Sequence, residues 1–207
     1  RILRVVCADP QSGDVVTQQY LHDCGSDEKG NYIQGYVSAP EGAYTLMAYT
    51  CDVEHVDFQY VYSLYALEAY SEALSSSETN TIFPTRGENT EINEPIYPHP
   101  GHTFVARMDN VLFGTQLLND TIFTETQTHP VAESVVKTYY MQVNVKGVEY
   151  VRSAVALITG MSGAKRLYRD EMLTDDPVSI YFGLSNGLDK MRTDNESRVA
   201  YASFNTF

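Results

Sequence analysis

The stretch VVKTYYMQVNV, from Val135 to Val145, alternates between two kinds of side chain. A period of two residues is typical of a β-strand with one buried face. A turn at Lys146-Gly147 follows, and YVRSAVALIT (150–159) then repeats the pattern, so the two segments are predicted to form a β-hairpin. One face of the first strand carries Tyr139, Met141, Val143 and Val145, and the other carries Thr138, Tyr140, Gln142 and Asn144.

Strand patterns also dominate the first third of the chain. ILRVVCA and VVTQQYL flank the turn-rich DPQSGD, which predicts a second hairpin. GNYIQGYVSAP, EGAYTLMAYTCD and VEHVDFQYVY continue as a predicted meander, with a turn at 40–42. In the last of these segments one face carries Val56, Phe58, Tyr60 and Tyr62.

Evidence for helix is limited to SLYALEAYSEAL, Ser63 to Leu74. Its apolar residues recur at three- and four-residue spacings, which predicts one short helix of about three turns. The next residues, Ser75 to His99, show no sustained period and are interpreted as a long irregular loop.

The domain prediction is two all-β halves. The polar segment 114–130 is interpreted as a junction, giving an N-terminal domain over residues 1–115 and a C-terminal domain over 116–207. The chain opens at Arg1 within a predicted strand and closes at Phe207 within another. We therefore expect a piece of a longer protein, with the C-terminal domain incomplete at its end.

Composition disfavours binding to nucleic acid and binding to a membrane surface by charge. The formal net charge is −13, and a uniformly acidic surface repels both phosphate backbones and anionic lipid. No apolar run approaches the roughly 18 residues needed to cross a bilayer. The 16 tyrosines and 8 phenylalanines favour β-structure, in which aromatic rings lie on half-buried sheet faces.

The three cysteines are Cys7, Cys24 and Cys51. Cys7 and Cys51 fall in predicted strands, where a small buried apolar side chain is the ordinary interpretation. A Cys7–Cys24 or a Cys24–Cys51 disulfide is possible by spacing, and sequence does not choose between them.

The segment GMSGAKR superficially resembles a phosphate-binding loop. Such a loop needs four residues between its glycines, a lysine directly after the second and then a hydroxyl residue. Here Gly160 and Gly163 have two residues between them, Ala164 intervenes and Arg166 replaces the hydroxyl. The segment is therefore predicted to be a structural turn at the end of the strand 150–159.

Metal-binding residue types occur around HPGH. His99 and His102, joined by His129 and by Asp120 or Glu125, could supply zinc ligands. No second pair has matching spacing, so no metal site and no cofactor are predicted.

Hydrolytic chemistry finds little support either. The nucleophile signature G-x-S-x-G is absent. The acid pairs Asp175-Asp176 and Glu54 with Asp57 are interpreted as solvated charges of an acidic chain. No catalytic residue is therefore predicted.

Two further patterns bear on surface chemistry. The segments 119–121 (NDT) and 195–197 (NES) fit the glycosylation sequon, which matters only in a eukaryotic source. Exposed tyrosines in the 60–70 region could stack against sugar rings, so a surface glycan-binding module is the alternative to a protein-contact function.

Several passages resemble the fimbrillin-like accessory and anchor lipoproteins of Bacteroidetes, which are associated with type V pili. These passages are EGAYTLMAYTCDVEHVDFQ, VLFGTQL, VKGVEYVRSAVALITGMSGAKRL and ASFNTF. The resemblance extends over most of the chain, from about Ile2 to Phe207. It departs from the family at Phe113, where a tryptophan is usual, and the family's lipid-bearing N-terminal cysteine is not in this sequence.

The resemblance implies two transthyretin-like antiparallel β-sandwich domains in a lipid-anchored protein of the outer membrane and cell surface. It implies a non-enzymatic accessory, anchor or adhesin subunit that contacts other fimbrial subunits, with strand addition as the mode of contact. Contact with the membrane would occur only through a lipid anchor outside this chain. A host or glycan ligand is compatible with the same assignment.

Overall fold

The computed structural model describes residues 1–83, 94–114, 130–145, 154–184 and 198–207. Within these ranges the chain is almost entirely β-structure, which confirms the all-β prediction. The elements are β1 (Leu3–Ala8), β2 (Val15–Leu21), β3 (Asp23–Asp27), β4 (Gly30–Gln34), β5 (Gly42–Thr50), β6 (Asp57–Gln59), β7 (Glu68–Tyr70), α1 (Ser76–Ile82), β8 (Ile96–Pro98), β9 (Phe104–Phe113), β10 (Glu133–Ser134), β11 (Lys137–Val145), β12 (Val155–Arg166), β13 (Glu171–Gly183) and β14 (Arg198–Thr206).

Two five-stranded sheets form the body of the fold. The first has the order β10-β9-β5-β1-β2, and all its neighbours are antiparallel. The second has the order β6-β7-β12-β13-β8, antiparallel except for the parallel pair β13–β8. Two-stranded sheets are formed by β3 with β4 and by β11 with β14. The predicted hairpin at DPQSGD is confirmed as β1–β2.

The two large sheets share the main hydrophobic core. Met47 and Tyr49 of β5 meet Leu64, Leu67 and other apolar residues from the side of the second sheet. A second cluster, around Cys7, Tyr44, Leu46 and Val111, is covered by Val37 and Ala39. A third joins Phe182 of β13 to Ala202 and Phe204 of β14. Burial of these side chains is the dominant favourable term in the folding of such sheets.

A row of polar side chains crosses the second sheet. Gln59, Glu68, Arg166 and Glu171 are cross-strand neighbours on β6, β7, β12 and β13. The buried Glu68 carboxylate accepts hydrogen bonds from Gln59 Nε2 at 2.8 Å and from Arg166 Nε at 3.2 Å. The hydrogen bond to Glu68 and, as a second cause, the hydrogen bond to Glu171 raise the pKa of the Arg166 guanidinium. Pairing thus compensates the cost of burying the carboxylate.

Two predicted strand pairings are wrong. β11 pairs with β14 throughout its length, and β12 pairs with β13 and β7, so the segments around Lys146-Gly147 are not each other's partners. The turn itself lies outside the described residues. The meander is also wrong, because β4 pairs with β3 whereas β5 pairs with β1 and β9. Alternation fixes which face of a strand is buried, but it does not specify the neighbouring strand.

The predicted helix at Ser63–Leu74 is wrong as well. Residues 61–62 and 64–66 form turns around an isolated β-bridge from Ser63 to Asp14, and β7 follows them. Leu64 and Leu67 are buried, as their spacing predicts. Leu64 lies in a turn, and Leu67 lies directly after that turn. The helix lies instead at Ser76–Ile82, inside the predicted loop. Ser75 caps it and Glu78 completes the capping box, a signal that the sequence contains as S-x-x-E.

The predicted turn at Gly160–Gly163 is replaced by a continuous strand. β12 runs through both glycines, with irregularities in its register on β13 between Ile158 and Met161 and between Ser162 and Ala164. Gly160 has a φ of 71°, a backbone conformation that favours glycine. The glycines therefore permit bulges rather than a chain reversal.

Strands from both sides of residue 115 share sheets. β6, β7 and β8 lie beside β12 and β13, and β10 lies beside β9. The division into two domains at 115/116 stays a prediction, and so does the transthyretin-like character of those domains. α1 has seven residues. Within the described ranges there is no helix that could span a membrane.

The three cysteines are free thiols. Cys7 is buried on β1, Cys51 is half-buried directly after β5, and Cys24 is exposed. Neither disulfide considered from the sequence is present.

We expect Leu67→Ala to lower the free energy of unfolding by about 2–5 kcal/mol, because Leu67 is buried in the main core and its loss leaves a cavity. Leu112→Ala is the matched control, since Leu112 is exposed on β9, and its effect should stay within about 0.5 kcal/mol. Urea denaturation of both variants provides the measurement. Equal effects would contradict the assignment of Leu67 to the core.

Burial raises the pKa of the Cys7 thiol to about 11 and that of the Tyr49 hydroxyl to about 12. In the unfolded chain these groups ionise near about 8.5 and 10. Between about pH 8.5 and 12 the folded state therefore binds more protons than the unfolded state, and the free energy of unfolding falls as the pH rises. Below about pH 8.5 the contribution of these two groups is fully present.

The same burial predicts selective thiol chemistry. In native protein at pH 8, iodoacetamide should modify the exposed Cys24 first and leave Cys7 unmodified, because the thiolate is the reactive form. Mass spectrometry of peptides after timed labelling measures this order, and denatured protein should label at all three positions. Rapid native labelling of Cys7 would show that β1 is not buried as described.

Candidate functional site

The HPGH segment connects β8 to β9 and is held firmly from two directions. Pro100 is fully buried, and its carbonyl oxygen accepts a hydrogen bond from Asn205 Nδ2 at 2.9 Å. The Asn205 Oδ1 atom in turn accepts from Thr138 Oγ1 at 2.7 Å. The HPGH segment is thereby attached to both strands of the β11–β14 sheet.

Gly101 allows a close approach on the other side. Its backbone N–H donates to the carbonyl oxygen of Glu54 at 2.9 Å. A Cβ atom at this position would lie 2.6 Å from Val53 Cγ1 and 2.8 Å from the Glu54 carbonyl oxygen. The glycine therefore permits a contact that any side chain would obstruct.

Between these contacts lies an open groove of about 380 Å³, which we name the HPGH groove. His99 and His102 both line it, so the structure brings together the two histidines that the sequence singled out. Its other lining residues are Arg1, Asp52, Val53, Glu54, Gly101, Thr138, Tyr140, Ser203, Phe204 and Asn205. The groove thus combines hydroxyl, carboxylate, amide and imidazole groups with one exposed aromatic ring.

The imidazole of His99 is incompletely satisfied. Its Nδ1 atom is buried and has no hydrogen-bond partner among the described residues. Buried polar atoms are normally paired, and an unpaired one is energetically costly. His99 therefore lines the HPGH groove with one imidazole nitrogen enclosed by the protein.

The zinc possibility gains no support from this arrangement. Within the described ranges, no three His, Cys, Asp or Glu side chains are placed to hold a metal ion. The other ligands considered from the sequence, Asp120, Glu125 and His129, lie outside those ranges. So do the two sequons, 119–121 and 195–197.

The paired acids do not converge on one site. Glu54 lines the HPGH groove, whereas Asp57 lines a neighbouring hollow with His55 and Glu72. Asp175 and Asp176 are exposed on β13. These positions agree with the interpretation of the acids as solvated charges.

The GMSGA serine is engaged in structure. Ser162 is buried, and its Oγ atom lies 2.6 Å from the carbonyl oxygen of Ala164 and 2.8 Å from that of Leu173. The hydroxyl thus closes the irregular part of the β12–β13 ladder. It is not presented to a substrate.

The tyrosines of the 60–70 region divide into two groups. Tyr60 and Tyr62 are exposed, but Tyr65 and Tyr70 are half-buried. The Tyr65 hydroxyl donates to the Pro10 carbonyl oxygen at 2.6 Å, and its ring packs on Tyr168. A flat surface formed by all four rings is therefore absent.

Tyr140 and Asn205 are among the groove residues that sequence reasoning missed. The alternation places Tyr140 on one face of a strand, and no local pattern relates it to HPGH. The proline-glycine pair between two histidines was the available signal, because it indicates a rigid, closely packed turn.

We expect Gly101→Ala to lower the free energy of unfolding by about 1–3 kcal/mol, because the added methyl group would meet the Glu54 carbonyl oxygen. Gly183→Ala is the matched control, since a Cβ there meets nothing within 4 Å. Thermal unfolding measures both. A harmless Gly101→Ala would contradict the close packing of HPGH against 53–54.

Three solved structures share this fold. A candidate adhesin from Bacteroides ovatus ATCC 8483 is 22% identical with a TM-score of 0.60, covering 100% of this chain and 60% of that one. The fimbrial anchor protein Mfa2 from Porphyromonas gingivalis is 11% identical with a TM-score of 0.52, covering 99% and 64%. A candidate polysaccharide-binding protein (DUF1812) from Bacteroides thetaiotaomicron is 12% identical with a TM-score of 0.50, covering 98% and 63%.

The chain spans less than two thirds of the length of each of these proteins. At these identities the likeness shows a common fold. A fimbrial anchor and a candidate adhesin of Bacteroides are among the matches, so the resemblance to fimbrillin-like accessory proteins is confirmed at the level of the fold.

The sequence comparisons place the chain in a family. No curated protein sequence is detectably similar to it. Residues 16–183 match the family described as Domain of unknown function (DUF5119), which is most of the chain. This protein therefore belongs to the DUF5119 family.

Proposed function

We propose that this chain is a non-enzymatic cell-surface subunit of a fimbrial system, an accessory, anchor or adhesin protein that acts through protein contacts. The observation that carries the proposal is the fold shared over the whole chain with a candidate adhesin and over 99% of it with a fimbrial anchor. The acidic net charge of −13 is compatible with an exposed surface protein and unfavourable for nucleic-acid binding.

The absence of catalysis is part of the proposal. The serine and the acids with the strongest sequence patterns are either hydrogen-bonded within the sheet, as Ser162 is, or solvated, as Asp175 is. The location at the outer membrane, with a lipid anchor outside this sequence, follows from the family resemblance and is proposed on that basis.

Strand addition is the proposed mode of contact, and β11 is the edge that suits it. β11 has nine residues and pairs with β14 on one side, and no described strand pairs with its other side. Its sequence KTYYMQVNV has one charge, at the first residue, and no proline. Long edges without charges, prolines or bulges can accept a further strand.

The proposal predicts where the native protein is found. Cells that produce it should yield it in the outer-surface fraction, and unboiled gels should show a ladder of assemblies that boiling removes. Mass spectrometry of the native N-terminus should find a lipidated cysteine upstream of this chain. A cytoplasmic, unlipidated monomer would overturn the proposal.

Two adjacent proline variants test the edge. Neighbouring amides in a strand point in opposite directions, so Gln142→Pro and Val143→Pro remove one amide facing β14 and one facing the open edge. The variant that breaks the β11–β14 ladder should lower the melting temperature more. The more stable of the two variants should no longer show the gel bands of the assemblies. If that variant assembles normally, β11 is not the accepting edge.

The alternative function is a surface glycan-binding module. The HPGH groove supports this alternative, because the side chain of Tyr140 is 86% exposed beside several hydrogen-bonding groups. Glycan arrays separate the two functions, since a pure assembly subunit should bind no sugar.

A further inference from the structure

We infer that the HPGH groove is a binding site for a neutral carbohydrate, a short stretch of a polysaccharide chain. The inference rests on the glycan-binding alternative given above and names its site and ligand class. It is independent of whether the protein assembles with fimbrial subunits.

The size and openness of the groove suit such a ligand. Its volume of about 380 Å³ falls in the range of roughly 300–1,000 Å³ that small-molecule sites occupy. The groove is a surface feature rather than an enclosed cavity, so a ligand can enter it from solvent.

Tyr140 supplies the aromatic surface. Its neighbour Tyr139 stacks on Phe204 with ring centroids 5.5 Å apart, and Phe204 stacks on Phe182 at 4.1 Å. Tyr140 lies on the opposite face of β11, is 86% exposed, and pairs with no other ring of the described residues. An amphipathic ring held in water next to hydrogen-bonding groups matches the mixed apolar and hydroxyl faces of a sugar.

The polar groups surround this ring in a fixed frame. Thr138, Asn205 and Pro100 are connected by hydrogen bonds, and Gly101 is fastened to Glu54. Little ordering is therefore needed on binding, which preserves affinity. The groups left to meet a ligand include the exposed His102 and the exposed Ser203, which both line the groove.

The net charge of the chain favours a neutral sugar over an acidic one. Within the groove the carboxylates of Asp52 and Glu54 are offset in part by Arg1, which also lines it, whereas the chain as a whole carries −13. Asp52 already accepts a hydrogen bond from the backbone N–H of Ile2 at 2.8 Å, whereas the Glu54 side chain is 85% exposed. Exposed carboxylates accept hydrogen bonds from sugar hydroxyls and repel uronic or sialic acids.

The experiment is saturation-transfer NMR of the purified chain with cellotriose, maltotriose, mannotriose and xylotriose, each at millimolar concentration, and with a galacturonic acid trimer. At least one neutral trimer should receive saturation, and the acidic trimer should not. Tyr140→Ala should weaken the binding of that trimer roughly tenfold. Tyr140→Phe keeps the ring and should retain the binding.

Tyr62→Ala is the matched control, because Tyr62 is similarly exposed, at 78%, and does not line the groove. Circular dichroism melting verifies that each variant is folded. Loss of binding in Tyr62→Ala but not in Tyr140→Ala would overturn the inference and place a sugar site on Tyr60 and Tyr62. Binding of none of the five probes would also overturn it, while surface fractionation would still decide the fimbrial proposal separately.

Discussion

The fold depends on the short ladder in which β7 meets β12. The buried carboxylate of Glu68 is paired there with Arg166, a residue 98 positions later in the chain. The next residue, Leu167, donates its N–H to the Leu67 carbonyl oxygen at 3.0 Å, and the preceding Lys165 reaches the Val135 carbonyl oxygen at 3.0 Å. Because an unpaired buried carboxylate is costly, this register has few alternatives.

β12 also connects two hydrophobic clusters. Ala156 and Ile158, near its start, pack in the cluster of Phe182 and Phe204, whereas Leu167, just past its end, packs in the main core. The irregular stretch around Gly160 lies between these two parts. There the Glu94 carboxylate accepts from the Gly160 N–H at 3.0 Å and from Ser179 Oγ at 2.9 Å. A bulge that bends a strand lets one strand contribute to both clusters.

The HPGH groove is a consequence of the same long-range pairing. Asn205 of β14 holds the carbonyl of Pro100 although the two are 105 residues apart, and Thr138 of β11 orients the Asn205 amide. The β11–β14 ladder therefore places Tyr140 beside the two histidines. A site of this kind needs no catalytic geometry, only a rigid turn, an exposed ring and hydrogen-bonding groups held in place.

Local patterns in the sequence determined the all-β class, the β1–β2 hairpin and the inward faces of strands such as β11, where Met141 and Val143 are more buried than Gln142 and Asn144. They also singled out HPGH through its two histidines. Only the tertiary structure decided which strands are neighbours, that GMSGA continues a strand, and that Leu64 lies in a turn with Leu67 directly after it. Side-chain periodicity is a property of one segment and is encoded locally. Strand neighbours and groove walls are chosen by burial and hydrogen bonding between segments up to about a hundred residues apart, which no local pattern encodes.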